Sequence, residues 1–408
     1  MTRQQSASRR SRTFSPLAVV LALGACSSGA PVTPEGAAGT GGVAGNGGSL
    51  AGGGGSGGAG GSAAGLGGGG LADGGLAAGG PMGGEASAGA SPTTCHEAGP
   101  SGGLTTRLPC LLSETGLYRA DVSTLAEGVH AYSPRYQLWS DGAEKKRWIS
   151  LPVGTQIDTA DMDYWSFPAG TKLWKEFTRD GVRVETRLLQ KQSSGAWYAV
   201  AYQWRADQKE ADAVPNGVRN ASGTPHDVPN GDDCLTCHSQ MPDKALGFSA
   251  LQLSHAAEAA GGALEWTLDT LIRDDLLTAP PAQSFTVPGA ALDQDFFGYL
   301  HANCGHCHNP KGTANQQTGL DLWLKVADLA GPITASSVYQ GIFDRDIVWL
   351  DAEHPNAPKR IAPGSLPDSA MYQRFVEKGH TWSMPPLGTE VVDPAAKKLF
   401  EDWISTPR

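Results

Sequence analysis

The sequence predicts an α+β multidomain protein, in which an antiparallel, β-sandwich-like N-terminal domain precedes a mainly α-helical region. Two patterns predict this fold class. Between about residues 95 and 215, apolar side chains alternate with polar ones, as in half-buried strands. Towards the C-terminus, apolar residues recur instead at the three- and four-residue spacing of a helix. We therefore expect a sheet first and helices after it.

Residues 1–25 have the pattern of a secretory signal peptide, with Arg9, Arg10 and Arg12 before the apolar residues 17–23 and small residues after them. The run Leu23-Gly24-Ala25-Cys26 is typical of a bacterial lipoprotein cleavage site, which predicts a lipid on Cys26. The alternative is an ordinary signal peptide in which Cys26 has no role.

No segment has the apolar length of a membrane span. We expect an exported protein, anchored by lipid in the bacterial cell envelope, at the outer membrane and facing the periplasm.

Residues 26–94 carry most of the 55 glycines of the chain and few aromatic or branched side chains. Such a composition cannot bury enough apolar surface to offset the entropy lost on ordering. We predict a disordered tether between the lipidated Cys26 and the folded part.

The β domain is predicted over residues 95–215. Residues 182–188 alternate with a period of two, and Asp180-Gly181 is a hairpin turn signal between them and residues 171–179. Residues 197–204 give a third strand, with shorter ones at 146–151 and 165–167. The many tryptophans of this domain are expected to form its core.

A first helical segment is predicted over residues 216–288, with helices near 246–258 and 264–277. A second helical domain covers residues 289–408. An apolar stripe runs from Leu292 to Leu300, and Asp393 followed by Pro394 is a helix start signal before the last apolar stripe.

Two Cys-x-x-Cys-His motifs lie in these helical segments, Cys234 to His238 and Cys304 to His308. Each motif suits covalent attachment of a c-type haem, because two thiols add to the porphyrin vinyl groups and the adjacent histidine reaches the iron. The cofactor prediction is therefore two covalently bound haems c, attached through Cys234, Cys237, Cys304 and Cys307.

Two other interpretations of these cysteines stay open. Two Cys-x-x-Cys pairs can form a structural zinc site, but zinc ribbons usually separate their pairs by roughly 15–20 residues and need no histidine after each pair. A redox-active dithiol requires a βαβ surround, which neither motif has.

Two further cysteines, Cys95 and Cys110, remain among the seven of the chain. In an oxidising compartment we expect them to form a disulfide. The formal charge of −10 argues against binding to nucleic acid.

The C-terminal portion, residues 296–403, resembles a class I cytochrome c domain. The landmarks are Tyr299-Leu300, the second Cys-x-x-Cys-His motif, residues 361–364 (Ile-Ala-Pro-Gly) and residues 384–388 (Met-Pro-Pro-Leu-Gly). The chain after Leu112 is similar to a group of diheme c-type cytochrome lipoproteins of bacterial envelopes, through residues 112–118, 138–143 and 246–249. The resemblance implies a mainly α-helical diheme cytochrome c region.

The axial ligands are predicted residue by residue. His238 and His308 are the expected proximal ligands, and Met384, fixed by two following prolines, is the expected distal ligand of the second haem. Met371 fits a core position better, within a helical stripe. For the first haem His255 is the leading candidate, with His226, Met162 or an open position as alternatives.

The resulting function is electron transfer between unidentified redox partners, rather than catalysis. A diheme peroxidase-like oxidoreductase with an open first haem is the alternative, for which Asp232, Asp233 and Asp243 are nearby acids. In a third interpretation, the β domain binds a partner or polymer and the haems serve as a relay.

Overall fold

The computed structural model describes residues 109–260, 263–348 and 357–408, which belong to one compact unit of the chain. The predicted signal peptide, the predicted lipidation site Cys26, the predicted tether and Cys95 lie outside the described residues. Cys110 is disulfide-bonded, as predicted for this residue.

The strands are β1 (His130–Ala131), β2 (Glu144–Ser150), β3 (Lys172–Arg179), β4 (Val182–Lys191), β5 (Trp197–Trp204), β6 (Ala211–Ala213), β7 (Ala259–Ala260) and β8 (Ala263–Leu264). The α-helices are α1 (Gly231–His238), α2 (Leu268–Arg273), α3 (Ala291–Asn303), α4 (Thr313–Thr318), α5 (Ser337–Ile342), α6 (Ala370–Val376) and α7 (Pro394–Ser405). Short 3₁₀ turns lie at Leu112–Thr115, Ala221–Gly223, Val326–Ala330 and Ile333–Ala335. Within the described part of the chain, none of these helices combines the length and apolar character of a membrane span.

Strands β1 to β6 form one antiparallel sheet in which neighbours in sequence are neighbours in space. The predicted hairpin between β3 and β4 is confirmed. Asp180 and Gly181 both have positive φ angles, of 49° and 77°, as a tight two-residue hairpin turn requires. The strand predicted over residues 197–204 coincides with β5.

The predicted fold class is wrong. Helices, with the 3₁₀ turns included, hold only 25% of the described residues, so the region that follows the six-stranded sheet is not mainly α-helical. The sheet does not pack on a second large sheet within the described ranges. One face is covered by the segment around Leu112 and Leu117, and the other by residues such as Phe248 and Leu271.

The missing helices are explained by tertiary hydrogen bonds. In the predicted helix 246–258, Leu251, Gln252 and Leu253 are all buried, so the segment has no polar face. The carbonyl of Gln252 accepts from Arg135 N at 2.7 Å, and that of Leu253 accepts from Leu268 N at 2.9 Å. Backbone groups that would bond within a helix are therefore bonded to other segments.

In the predicted helix 264–277 only α2 forms. Thr267 precedes it and Asp274 follows, and Asp275 then takes a left-handed conformation with φ 55°. Since a left-handed residue does not continue a right-handed helix, Asp275 prevents its extension and α2 ends after six residues.

The predicted helices that flank the second motif are confirmed as α3 and α7. Asp393 caps α7 by accepting from Ala395 N and Ala396 N, and Pro394 is its first residue. The two helices cross through aromatic rings: Phe296 stacks on Trp403 with 4.2 Å between ring centroids, and Phe400 meets Phe296 edge-on at 5.0 Å. This contact fixes α3, whose C-terminal end leads directly into Cys304.

The middle of α3 lies against the segment that precedes β2. A Cβ atom on Gly298 would lie 2.0 Å from the Tyr136 ring, so only glycine permits this approach. The next helical turn repeats the contact, because Asn303 Oδ1 accepts from Trp139 N at 2.8 Å and Asn303 Nδ2 donates to Gln137 O at 3.0 Å. The helix that carries the second motif is thus held by both the N-terminal and the C-terminal part.

We expect Gly298→Ala to lower the free energy of unfolding by about 1–3 kcal/mol, since the added methyl group forces the Tyr136 ring aside. Urea unfolding followed by circular dichroism measures the change. Gly341→Ala in α5 is the matched control, because no atom lies within 4 Å of its added methyl group. An equal loss of stability in both variants would contradict the close contact.

Candidate functional site

The first Cys-x-x-Cys-His motif lies on α1. Asn230 caps this helix by accepting from Asp232 N and Asp233 N, both at 2.9 Å. Cys234, Cys237 and His238 are residues i, i+3 and i+4 of one helix, so their side chains share one face. The helix thus presents two thiols and an imidazole together.

The ring of His238 is oriented by the chain that follows it. Its Nδ1 lies 2.6 Å from Lys244 O, and since a carbonyl only accepts, Nδ1 carries the proton. The lone pair of Nε2 is then free for a metal, as in histidines that ligate iron. Burial lowers the pKa of His238 to about 4, which keeps the ring neutral at pH 7.

The second motif is a helical turn that follows α3. His308 N donates to Cys304 O at 2.9 Å, which brings the histidine onto the same side as the first cysteine. A Cβ on Gly305 would lie 2.8 Å from His301 O and 2.9 Å from Leu322 O, so the close packing of the turn requires glycine. Burial raises the pKa of the Cys304 thiol to about 12 and lowers that of His308 to about 4.

The fold brings the two motifs into contact. Ligand atoms of Cys237, His306 and Cys307 lie within 4.8 Å of one another. The adjacent Cys307 thiol lowers the pKa of the Cys237 thiol, and His306 adds to this effect. The side chain of Gln240 joins the segments that follow the motifs, because its Oε1 accepts from Thr313 N at 2.7 Å.

This cluster tests the zinc interpretation. Structural zinc sites are almost always four-coordinate. The cluster has three possible ligands in the described ranges, and it takes one cysteine from each motif rather than a Cys-x-x-Cys pair. Cys234 and Cys304 are free thiols outside it. The arrangement therefore fits a four-cysteine zinc site poorly.

The residues present do fit haem attachment. Each motif places its two thiols and its histidine on one helical turn, and the hydrogen bond of His238 leaves the nitrogen that an iron needs. His238 and His308 would hold the two irons, and the four motif cysteines would hold the porphyrins. Iron in such a haem supplies one-electron redox chemistry.

The predicted distal histidines have other partners. His255 Nε2 lies 2.6 Å from Ser133 O and its Nδ1 lies 2.9 Å from Ala256 O. His226 Nε2 lies 2.8 Å from the fully buried carboxylate of Glu185. Either histidine would have to give up its Nε2 partner before it could ligate iron through that nitrogen.

Three of the methionines, those predicted as ligand or core residues, differ in their surroundings. Met162 packs at the edge of the core under the sheet, and Met371 packs on the aromatic core around α7. Met384 is half-buried and packs on neither core. Its backbone is fixed instead, with Met384 N bonded to Arg374 O at 2.8 Å and Met384 O to Lys378 Nζ at 2.9 Å. Of these three methionines, Met384 is therefore the one whose side chain does not pack on a hydrophobic core.

The acids near the first motif are structural. Asp232 and Asp233 belong to the first turn of α1, where negative charge suits the helix N-terminus. Asp243 accepts from Trp197 Nε1 at 2.7 Å and from Lys191 Nζ at 2.8 Å. Its role is to fasten the loop after α1 to the sheet.

A cavity of about 40 Å³ lies between the loop that follows the first motif and the second motif. Five of its lining side chains have a buried polar atom without a hydrogen-bond partner: Tyr164 Oη, Trp165 Nε1, Ser249 Oγ, His301 Nε2 and Trp323 Nε1. His301 Nδ1 accepts from Leu324 N at 3.2 Å, so Nε2 carries the proton of the neutral ring. The cavity thus offers hydrogen-bond donors, in a volume that suits a few waters or a small molecule.

Sequence reasoning did not single out His301 or His306. His306 stands between the two cysteines of its motif, and an ionisable residue at that position was an available signal. His301 precedes the motif on α3, and its role depends on Trp323, whose ring centroid lies 4.1 Å from that of His301. No local pattern connects these two residues.

Comparisons of the chain with protein-family models, with curated protein sequences and with solved structures find no match.

Proposed function

We propose that this chain is a diheme c-type cytochrome that transfers electrons between redox partners, anchored in the cell envelope through a lipid on Cys26. The observation that supports it best is that both Cys-x-x-Cys-His motifs form helical turns, with the Nε2 lone pair of His238 left for iron. The partners are a redox donor and a redox acceptor, and nucleic acid is not among them.

The contact between the motifs supports electron exchange within the protein. Cys237 and Cys307 belong to the cluster whose ligand atoms lie within 4.8 Å of one another, so the two attachment points are adjacent. His238 and His308 are half-buried, and this partial shielding from water would help to set the reduction potentials of bound haems. His308 and Met384 would complete the ligand set of the second haem, and His255 remains the predicted distal ligand of the first.

The test uses full-length protein matured in a host that attaches haem c. Pyridine haemochrome quantitation counts the haems, and we expect two per chain. Absorbance spectra of oxidised and reduced protein, with and without carbon monoxide, are expected to show two low-spin haems that bind no added ligand. Fewer than two haems per chain would refute the proposal.

We expect Met384→Ala to open one coordination position of the second haem, so that half of the reduced haem binds carbon monoxide. The loss of a thioether ligand also lowers the reduction potential of that haem. Met371→Ala is the control, because Met371 packs on the aromatic core and its loss affects stability alone. A carbon monoxide spectrum that is the same in both variants would remove Met384 from the ligand set.

A second candidate function is a diheme peroxidase-like oxidoreductase, and the donor-lined cavity favours it. Its five unpartnered groups suit a small molecule with acceptor oxygens, such as hydrogen peroxide. Asp163 lines the same cavity, and burial raises the pKa of its carboxyl, as a proton donor requires.

The two functions are separated by the response to hydrogen peroxide. The peroxidase-like function predicts a high-spin fraction in the resting spectrum, and turnover that falls in His301→Phe because one cavity donor is lost. Electron transfer alone predicts a low-spin spectrum and the same slow, nonspecific reaction with peroxide in both proteins.

A further inference from the structure

Three cations lie side by side on one face of the sheet. Arg147 of β2 is the direct cross-strand partner of Lys175 of β3, and Lys175 is the direct partner of Arg187 of β4. Direct partners in an antiparallel sheet place their side chains on the same face, and like charges in this position destabilise it. We call Arg147, Lys175 and Arg187 the cationic row.

The negative charge beside the cationic row is insufficient. Glu185 binds Arg187 through both carboxylate oxygens, at 2.6 and 2.9 Å, and also binds His226. No carboxylate oxygen of the described residues comes within ion-pairing distance of Arg147 or Lys175. One carboxylate, that of Glu185, therefore pairs directly with the cationic row, and Glu265 acts on Arg147 only from beyond ion-pairing distance.

The cost of this arrangement is high because Arg147 is buried and Lys175 and Arg187 are half-buried. Arg147 is only 5% exposed, and burial lowers its pKa. Burial, with the neighbouring charges of Arg147 and Arg187, holds the pKa of Lys175 well below its usual value. The ring of Phe177 offers partial compensation, at 5.0 Å from Lys175 Nζ and 4.3 Å from Arg187 Cζ. A buried charge is normally paired, so the cationic row lacks a negative partner.

The cationic row lies beside the first haem motif. Helix α1 packs against β5, the neighbour of β4 in the sheet. Arg187 acts electrostatically on both Cys234 and Cys237, and Lys175 and Arg187 both act on His238. Arg187 keeps 29% of its side chain accessible, so the row can be reached by a ligand at this motif.

We propose that the cationic row binds paired carboxylates, and that these are the two propionates of the haem attached at Cys234 and Cys237. The inference rests on the proposed diheme function. Two propionates would give Arg147 and Lys175 the direct carboxylate partners that they lack among the described residues. Guanidinium groups suit carboxylates because they donate two parallel hydrogen bonds. The polar face of β4 thus has a role in fixing the orientation and potential of the first haem.

The experiment measures reduction potentials of the haem-loaded, full-length protein by spectroelectrochemistry. Lys175→Gln and Arg147→Gln each remove a positive charge beside the propionates, so the midpoint potential of the first haem is expected to fall. The potential of the second haem is expected to stay unchanged. Lys146→Gln is the matched control, because Lys146 neighbours Arg147 on β2 but is exposed on the opposite face.

The outcomes separate this inference from the function on which it rests. Fewer than two haems in the parent protein would overturn the diheme function. If the parent protein holds two haems and all three substitutions change the potential of the first haem by the same amount, that result would overturn only the propionate site. Since each substitution relieves repulsion between like charges, neither Lys175→Gln nor Arg147→Gln is expected to impair folding.

An anion from solution is the alternative ligand for the cationic row. Inorganic phosphate is the probe that tests it. If the propionates occupy the cationic row, phosphate leaves the thermal midpoint of the haem-loaded protein unchanged. A midpoint that rises with phosphate in the parent protein but not in Lys175→Gln would assign the row to a free anion and overturn the propionate site.

Discussion

Replacing Cys304 and Cys307 together with alanine is expected to leave one haem per chain, attached at the first motif. The thioether bonds of each haem form only with the cysteines of its own motif, so loss of one pair does not affect the other. Pyridine haemochrome quantitation and intact mass spectrometry measure the loss. The reciprocal change of Cys234 and Cys237 is expected to leave the other haem.

The same pair of variants tests the zinc interpretation, because the Cys237, His306 and Cys307 cluster draws on both motifs. A shared metal would be lost completely in either double variant, whereas haem falls from two to one. His306→Gln is the third arm: it would reduce zinc content, but it leaves both haems in place. Zinc in the purified protein that is lost in both double variants and reduced in His306→Gln, with no haem, would contradict the cytochrome proposal.

Trp403→Ala is expected to lower the free energy of unfolding by about 3–5 kcal/mol. Trp403 is 0% exposed and stacks on Phe296 at 4.2 Å, so its removal leaves a cavity at the crossing of α3 and α7. Its indole N–H also bonds Asp293 Oδ1 at 3.0 Å. Urea unfolding followed by circular dichroism gives the difference.

Lys398→Ala on the same helix is the control, because its side chain is 72% exposed and forms only a surface ion pair with Asp402. Its expected change is below about 1 kcal/mol. Trp403→Phe keeps most of the packing and loses the hydrogen bond, so it is expected to fall between the two. A Trp403→Ala protein as stable as Lys398→Ala would show that the crossing does not hold the second motif in place.

Local sequence signals predicted the elements that depend on near neighbours. Asp180-Gly181 determined the β3–β4 turn because both residues tolerate positive φ, and Asp393-Pro394 determined the start of α7 because side-chain capping is a contact within one turn. The two Cys-x-x-Cys-His motifs belong to the same category. Their spacing places two thiols and an imidazole on one turn wherever that turn lies.

The sequence failed where distant partners decided the outcome. Residues 246–258 have an apolar pattern that favours a helix, but Gln252 and Leu253 bond to segments more than ten residues away. The alternation in β4 predicted one buried and one polar face. Glu185, on the polar side of that pattern, is nevertheless 0% exposed.

The sequence by itself therefore determined the chemistry that each motif can perform, since that chemistry depends on spacing within a single turn. Only the tertiary structure decided which groups meet: Cys237 with Cys307, His301 with Trp323, and the cationic row with the first motif. The physical reason is that sheet register and helix crossing join residues far apart in the chain, and the free energy of those contacts depends on burial that no local pattern specifies.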